Sequence, residues 1–344
     1  MSERPEAPPD VDADEQIEEV APNGEPAREP EPAAVATPVA EPRVRRLDIV
    51  GRRNVFFALS LLIIIPGIVS MAVNGFRLGI DFAGGTELTV TFANHPSLAR
   101  VEQVVDAQAA DGSVIQTGGG GYIVRYPPLN RTQLNNMQDN LRSNLGPMDV
   151  KQVLVVGGTI AGETILSSLL AVVIASVLIL LLLAWRFHNV PGGWRAGFQF
   201  GGSALLALLH DVFVLAGIFS ILGTVFNLAI GQIDAFFVTA VLTVVGFSVH
   251  DTIVVFDRIR ENLRVSQRLS FEQVVNLSIM QTTARSIITS FTVVLVLAAI
   301  LISGGPTLQG LALALMIGIV SGTYSSIFNA APLLVVWRRL QPLR

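Results

Sequence analysis

Five ionisable side chains lie in stretches of this chain that otherwise carry no charge: His210, Asp211, His250, Asp251 and Arg285. A charge at the centre of a bilayer costs at least ~2.5–3.5 kcal/mol on insertion scales, so such residues mark candidate functional sites. Asp251 stands five residues before the end of an apolar stretch, about 7–8 Å deep at 1.5 Å per residue. Arg285 lies equally far into the next stretch, which runs the opposite way, so the two are expected to meet. Burial and a nearby guanidinium pull a carboxylate's proton affinity in opposite directions. An aspartate under both influences is suited to bind and release a proton. Protonation would loosen its hold on Arg285 and bias two helix packings. A proton crossing the membrane supplies ~2.3 kcal/mol per 100 mV to drive such a change. The alternative is a static buried pair that fixes helix register.

The neighbouring residues extend or limit this chemistry. Ser278, Gln281, Thr282, Arg285, Thr289 and Thr292 recur at helical spacing, a polar stripe expected to face the bundle interior. His210 and Asp211 are expected mid-span, either as further steps of a proton path or as hydrogen-bonded packing residues. His-Asp occurs twice, at 210–211 and 250–251. Adjacent helical residues diverge by ~100°, so the two pairs do not converge easily on a metal. An intramembrane aspartyl protease would need Gly-x-Gly-Asp, and Phe247-Ser248-Val249-His250 precedes Asp251 instead. Cysteine is absent, which removes disulfides, thiolate metal sites and cysteine nucleophiles. No catalytic constellation, cofactor, metal or nucleic-acid partner is expected. Gly318/Gly322 and Ser321/Ser325 read as small-xxx-small packing signals.

These residues require a membrane bundle to position them. The chain is 51% hydrophobic and only 15% charged, where a globular domain carries about 25%. About 20 apolar residues cross the hydrocarbon core. Spans are expected at Val55–Val73, Thr164–Ala184, Gly201–Leu222, Ala235–Phe256, from near Ile279, and at Leu308–Val336; Ser303-Gly304-Gly305-Pro306 is the turn before the last. Arg45, Arg46, Arg52 and Arg53 precede the first span, Arg186 and Arg195 separate the second and third, and Arg258, Arg260, Arg264 and Arg268 follow the fourth. Arg338, Arg339 and Arg344 follow the sixth, while 223–233 and 303–307 hold no lysine or arginine. The positive-inside rule then puts both termini in the cytoplasm of an inner-membrane protein.

The organisation follows. Residues 1–46 form an acidic, proline-rich tail expected to stay disordered. Residues 54–74 form the first helix, 75–160 an extracytoplasmic domain, and 162–338 the remaining five helices. Residues 257–278 read as a cytoplasmic amphipathic segment at the lipid surface. Within 75–160, strands are expected at Thr86–Ala93, Ser113–Gln116, Tyr122–Tyr126 and Val150–Val156. Helices are expected at Ser97–Ala109 and Asn130–Leu145. The order βαββαβ predicts a small α+β ferredoxin-like unit, in which Tyr122, Arg125 and Tyr126 offer either a contact surface or an ordinary strand.

Four segments carry a family resemblance. They are Gly79-Ile80-Asp81-Phe82-Ala83-Gly84-Gly85-Thr86, His210-Asp211-Val212, Gly246 through Asn262, and Gln281 through Ser290. Together they cover about 47–340 and resemble the SecD/SecF family of export membrane proteins. The signature loop contributes Asp81, Gly84 and Gly85. His250 departs from the family pattern, which has asparagine there. The resemblance implies a resistance–nodulation–division architecture in which this chain supplies six spans and SecD the other half. It further implies use of the proton motive force to assist preprotein translocation through the SecYEG channel. On that pattern Asp251 and Arg285 are proton-pathway residues, with His210, Asp211 and His250 beside them and Gln281, Thr282 and Thr289 supporting Arg285. Two alternatives stand beside it: half of a small-molecule or lipid exporter, and a translocon scaffold that moves no protons.

Overall fold

The computed structural model describes residues 48–108, 112–117, 120–265 and 268–342. The acidic stretch 1–46 lies outside them. Among the described residues six helices are long and apolar enough to cross a membrane: Arg53–Asn74, Gly158–Arg186, Gly193–Val225, Ala235–Val265, Phe271–Ser303 and Leu308–Leu340. The first two are α1 (Arg53–Asn74) and α5 (Gly158–Arg186). The third is α6 (Gly193–Ser220), prolonged by a π turn at Ile221–Val225. The fourth and fifth are α7 (Ala235–Val265) and α8 (Phe271–Ser303). The sixth comprises α9 (Pro306–Ser325), a π turn at Ser326–Ala330, and α10 (Ala331–Leu340). Pro332, in the first turn of α10, cannot donate back to the preceding turn, and that turn widens into π geometry.

Several boundaries differ from expectation, with α5 beginning at Gly158 rather than Thr164 and α6 at Gly193 rather than Gly201. The fifth helix starts at Phe271 rather than near Ile279, because Ser270 and Gln273 form a reciprocal capping box there. Among the described residues of 257–278 there is no separate surface helix: α7 runs to Val265 and α8 begins at Phe271. Helix α7 continues unbroken through Val265, its last turns held by Arg258–Glu261 and Arg260–Asp257 ion pairs at i,i+3.

Close packing needs small residues. Helix α1 crosses α6 at Gly67 and Gly217, where a Cβ added to Gly67 would stand 2.8 Å from the Gly217 Cα. Gly318 and Gly322 of α9 lie against Val244 and Ser248 of α7. Phe200, Phe219, Phe256, Ile259 and Leu334 belong to the apolar core that joins α6, α7 and α10.

Between α1 and α5 the chain forms a short helix α2 (Ile80–Ala83), then β1 (Gly85–Phe92), α3 (Leu98–Asp106), β2 (Ser113–Thr117), β3 (Gly121–Tyr126), α4 (Arg131–Leu145) and β4 (Met148–Val156). The antiparallel sheet runs β2-β3-β1-β4, with a register shift at Thr89/Val90. Alternation assigns its faces. Leu88, Val90, Phe92, Tyr122 and Val124 pack with Val101 and Val105 of α3 and Leu141 and Leu145 of α4. Glu87, Ile123 and Arg125 line the opposite face. Tyr122 and Tyr126 are buried, and the Tyr122 hydroxyl donates to the Pro96 carbonyl.

Candidate functional site

Asp251 lies on α7 with 8% of its surface exposed. Its Oδ1 accepts a hydrogen bond from Ser286 Oγ of α8 at 2.5 Å, and its Oδ2 accepts one from Ser326 Oγ of the π turn at 2.5 Å. A carboxylate offers about four lone-pair positions. Two are therefore filled by hydroxyls, which can reverse their role, and two remain open.

Arg285 does not join this carboxylate. It is exposed, and it forms no ion pair or hydrogen bond among the described residues. The expected depth is correct, since the adjacent Ser286 reaches Asp251. The facing is not: successive helical residues diverge by ~100°, and the serine takes the inward position. The stripe on α8 divides in the same way. Ser278 and Thr282 are buried, with Thr282 Oγ1 donating to the Ser278 carbonyl at 3.0 Å. Gln281, Arg285, Thr289 and Thr292 face outward, and Gln281 Oε1 accepts from Arg258 Nε at 2.6 Å and Asn262 Nδ2 at 2.9 Å. His250 also faces outward, away from the Asp251 carboxylate. With Thr239 and Thr243 it forms an exposed polar row on α7.

A second carboxylate lies deeper in the packing. Asp211 is 1% exposed and accepts from four donors: Ser321 Oγ at 2.7 Å and His210 Nδ1 at 3.0 Å on one oxygen, Ser248 Oγ at 2.7 Å and Ser325 Oγ at 2.6 Å on the other. These fill its acceptor positions and tie α6, α7 and α9 together at Asp211. His210 turns its Nδ1 to Asp211, leaves Nε2 buried without a partner, and stacks its ring on Tyr324 with centroids 6.1 Å apart. The Tyr324 hydroxyl donates to the Phe56 carbonyl at 2.8 Å.

The sixth span ties the two aspartates together. Ser325 serves Asp211 and the adjacent Ser326 serves Asp251, since neighbouring positions point to different sides of a helix. Ser248, Ser286, Ser321, Ser325 and Ser326 are the carboxylate partners that sequence reasoning missed. Ser321 and Ser325 read as packing residues, because small size and helical spacing serve packing and hydrogen bonding alike. Their position opposite two intramembrane acids was the available signal.

The signature loop grips the other end of α7. Gly84 and Gly85 have φ of 72° and 140°, a region that disfavours side chains, and a Cβ on Gly85 would lie 2.7 Å from the Tyr126 carbonyl oxygen. Asp81 Oδ2 accepts from the Ala235 amide at 3.0 Å, and Asp234 Oδ1 accepts from the Phe237 amide at 2.9 Å. Gly79 N donates to the Ile233 carbonyl at 2.7 Å, and Gln232 Nε2 donates to the Leu78 carbonyl at 2.9 Å. Arg125 pairs with Glu87 at 2.6 Å and also donates to Gln232. The surrounding cleft encloses about 890 Å³ between the open sheet face and the ends of the spans. Burial pushes the Asp234 carboxyl above the usual range; nearby Asp81 adds to the rise, while Arg125 and the Phe237 and Phe236 amides oppose it. Among the described residues no group of histidines and carboxylates is placed to hold a metal ion.

Residues 136–340 match the family model described as protein export membrane protein SecD/SecF, C-terminal, and residues 69–94 match the SecD/SecF GG motif. The protein translocase subunit SecF of Thermobaculum terrenum is 44% identical over 314 residues, covering 87% of this chain and 96% of that protein. The SecF subunit of Anaerolinea thermophila is 41% identical over 296 residues, covering 85% and 94%. The crystal structure of SecDF, a translocon-associated membrane protein from Thermus thermophilus, superposes with a TM-score of 0.74 at 31% identity. That match covers 86% of this chain but only 39% of the longer SecDF polypeptide. The apolar helices, the glycine-bearing loop and the full-length likeness to SecF subunits agree: this six-span chain belongs to the SecD/SecF family of protein-export membrane proteins.

Proposed function

We propose that this chain is the SecF-type half of a SecD–SecF accessory that uses the proton motive force to assist preprotein translocation through SecYEG, with Asp251 as the carboxylate that takes up and releases the proton. The observation that carries this reading is the contrast between the two buried acids. Asp211 is saturated by four donors, whereas Asp251 keeps open positions and, among the described residues, is held only by Ser286 and Ser326. The partner half covers the outer faces of α7 and α8. An exposed Arg285 among Gln281, Thr289 and Thr292 is costly against lipid and favourable against a second polar helix surface. Thr239, Thr243 and His250 extend that surface on α7. The arginines at 52–53, 186, 195, 258–264 and 338–339 support cytoplasmic termini and a periplasmic βαββαβ unit, read as ferredoxin-like.

Asp251→Asn tests the assignment. Asparagine retains the size of the side chain and can still meet both serines. Reconstituted with SecD and SecYEG, the variant is expected to insert normally and to lose the secretion support that depends on the proton gradient. Full support in this variant would instead favour a scaffold that moves no protons.

A further inference from the structure

The protein's three tryptophans, Trp185, Trp194 and Trp337, lie at one end of the bundle: the end of α5, the first turn of α6 and the last turn of α10. Indoles collect at headgroup depth, so this end is at a membrane–water boundary. A cleft of about 450 Å³ opens there, lined by Arg195, Phe198, Gln199, Trp337, Gln341 and Pro342.

One wall of the cleft is fixed by packing. The Trp337 indole lies over Gly202, where an added Cβ would come within 2.5 Å of it. Trp337 Nε1 donates to Gln341 Oε1 at 3.3 Å, and Gln199 Nε2 donates to the Gln341 carbonyl at 3.0 Å. The charge in the cleft has no counterpart among the described residues. Arg195 is exposed and forms no ion pair or hydrogen bond among the described residues, and no acid lines the cleft. Several other arginines near this end meet acids, Arg186 and Arg260 on Asp257, Arg258 on Glu261, and Arg339 on Glu272, and Arg338 lies over the Phe271 ring. Exposed Trp194 and Phe198 continue the cleft as an apolar shelf.

We propose that this cleft is a binding site for an anionic phospholipid, with Arg195 taking the phosphate and Phe198 meeting the upper acyl chains. Charge complementarity selects the lipid class. A zwitterionic headgroup brings its own cation beside the phosphate and leaves Arg195 unmatched, whereas an anionic headgroup does not. An apolar shelf beside the cation, at headgroup depth, suits a lipid and has no use for a soluble phosphate.

The experiment uses the full chain with Trp185→Phe and Trp194→Phe, which leaves Trp337 as the single indole in the cleft wall. The protein is reconstituted in phosphatidylcholine vesicles doped with either phosphatidylglycerol or phosphatidylcholine whose acyl chains are brominated near the headgroup. Brominated phosphatidylglycerol is expected to quench Trp337 at about fivefold lower mole fraction, the preference that one basic side chain supplies near an anionic lipid. Arg195→Gln is expected to bring the two lipids to parity, Arg195→Lys to keep the preference, and inorganic phosphate to leave the quenching unchanged. Parity with Arg195 intact, a preference that survives in Arg195→Gln, or reversal by inorganic phosphate would each overturn the assignment.

Discussion

At the scale of single residues, the serines divide into two classes by the acid they serve. Ser321 helps saturate Asp211, and Ser326 holds Asp251 beside an open position. Ser321→Ala is expected to lower the thermal stability of the purified protein by about 0.6 kcal/mol, ~1.7 at most, the range of single polar contacts between membrane helices. It should leave the pH profile of secretion support unmoved. Ser326→Ala is expected to shift that profile, and Ser326→Thr to restore it, as measured with SecD and SecYEG in vesicles. Which acids lie inside the membrane was legible in the sequence, because any charge in an apolar run stands out. So was the shared depth of residues 251 and 285, since depth adds linearly along a helix. Facing was not legible. A one-residue difference turns a side chain by ~100°, and no local pattern decided between Arg285 and Ser286.

At the scale of elements, the six apolar runs and the alternation of the four strands could be read directly, because lipid and a half-buried sheet each impose a strong period. Helix ends were harder to read. The extension of α7 through Arg258–Val265 depends on i,i+3 ion pairs, and the early start of α8 depends on Ser270 and Gln273. Both are polar features that a hydropathy pattern does not register. The π turn before Pro332 was likewise missed, although the proline that accompanies it is plain. Contact between α1 and α6 rests on two glycines meeting backbone to backbone. Gly67→Leu should therefore force these helices apart and cost about 1–3 kcal/mol. Thermal unfolding in detergent measures this, with Val69→Leu on the exposed face of α1 as the control.

At the scale of the whole molecule, the α/β unit and the bundle meet through the signature loop, and that contact titrates. Asp234 has its carboxyl raised chiefly by burial, with Asp81 adding to the rise and Arg125 and the Phe237 and Phe236 amides opposing it. A group whose folded pKa lies above its unfolded value contributes stability that is complete below the unfolded pKa and is lost as pH rises through the folded one. Stability should thus fall as pH rises from the ordinary carboxylate value of 3.8 through the raised one. Asp234→Asn keeps an acceptor for the Phe237 amide and removes the charge. It is expected to flatten this slope and to melt higher at neutral pH, as read by thermal shift across a pH series.

Helix α7 is gripped by the α/β unit at Ala235, through Asp81, and carries Asp251 sixteen positions further along. At 1.5 Å per residue these points are ~24 Å apart on one unbroken helix. The helix is therefore a lever. A tilt of only ~5° about the Asp251 end swings the gripped end by ~2 Å, enough to part or remake the hydrogen bonds that seat the α/β unit. Losing or gaining one hydroxyl contact at the fulcrum would thereby be magnified into movement of the α/β unit, without any hinge inside the helix.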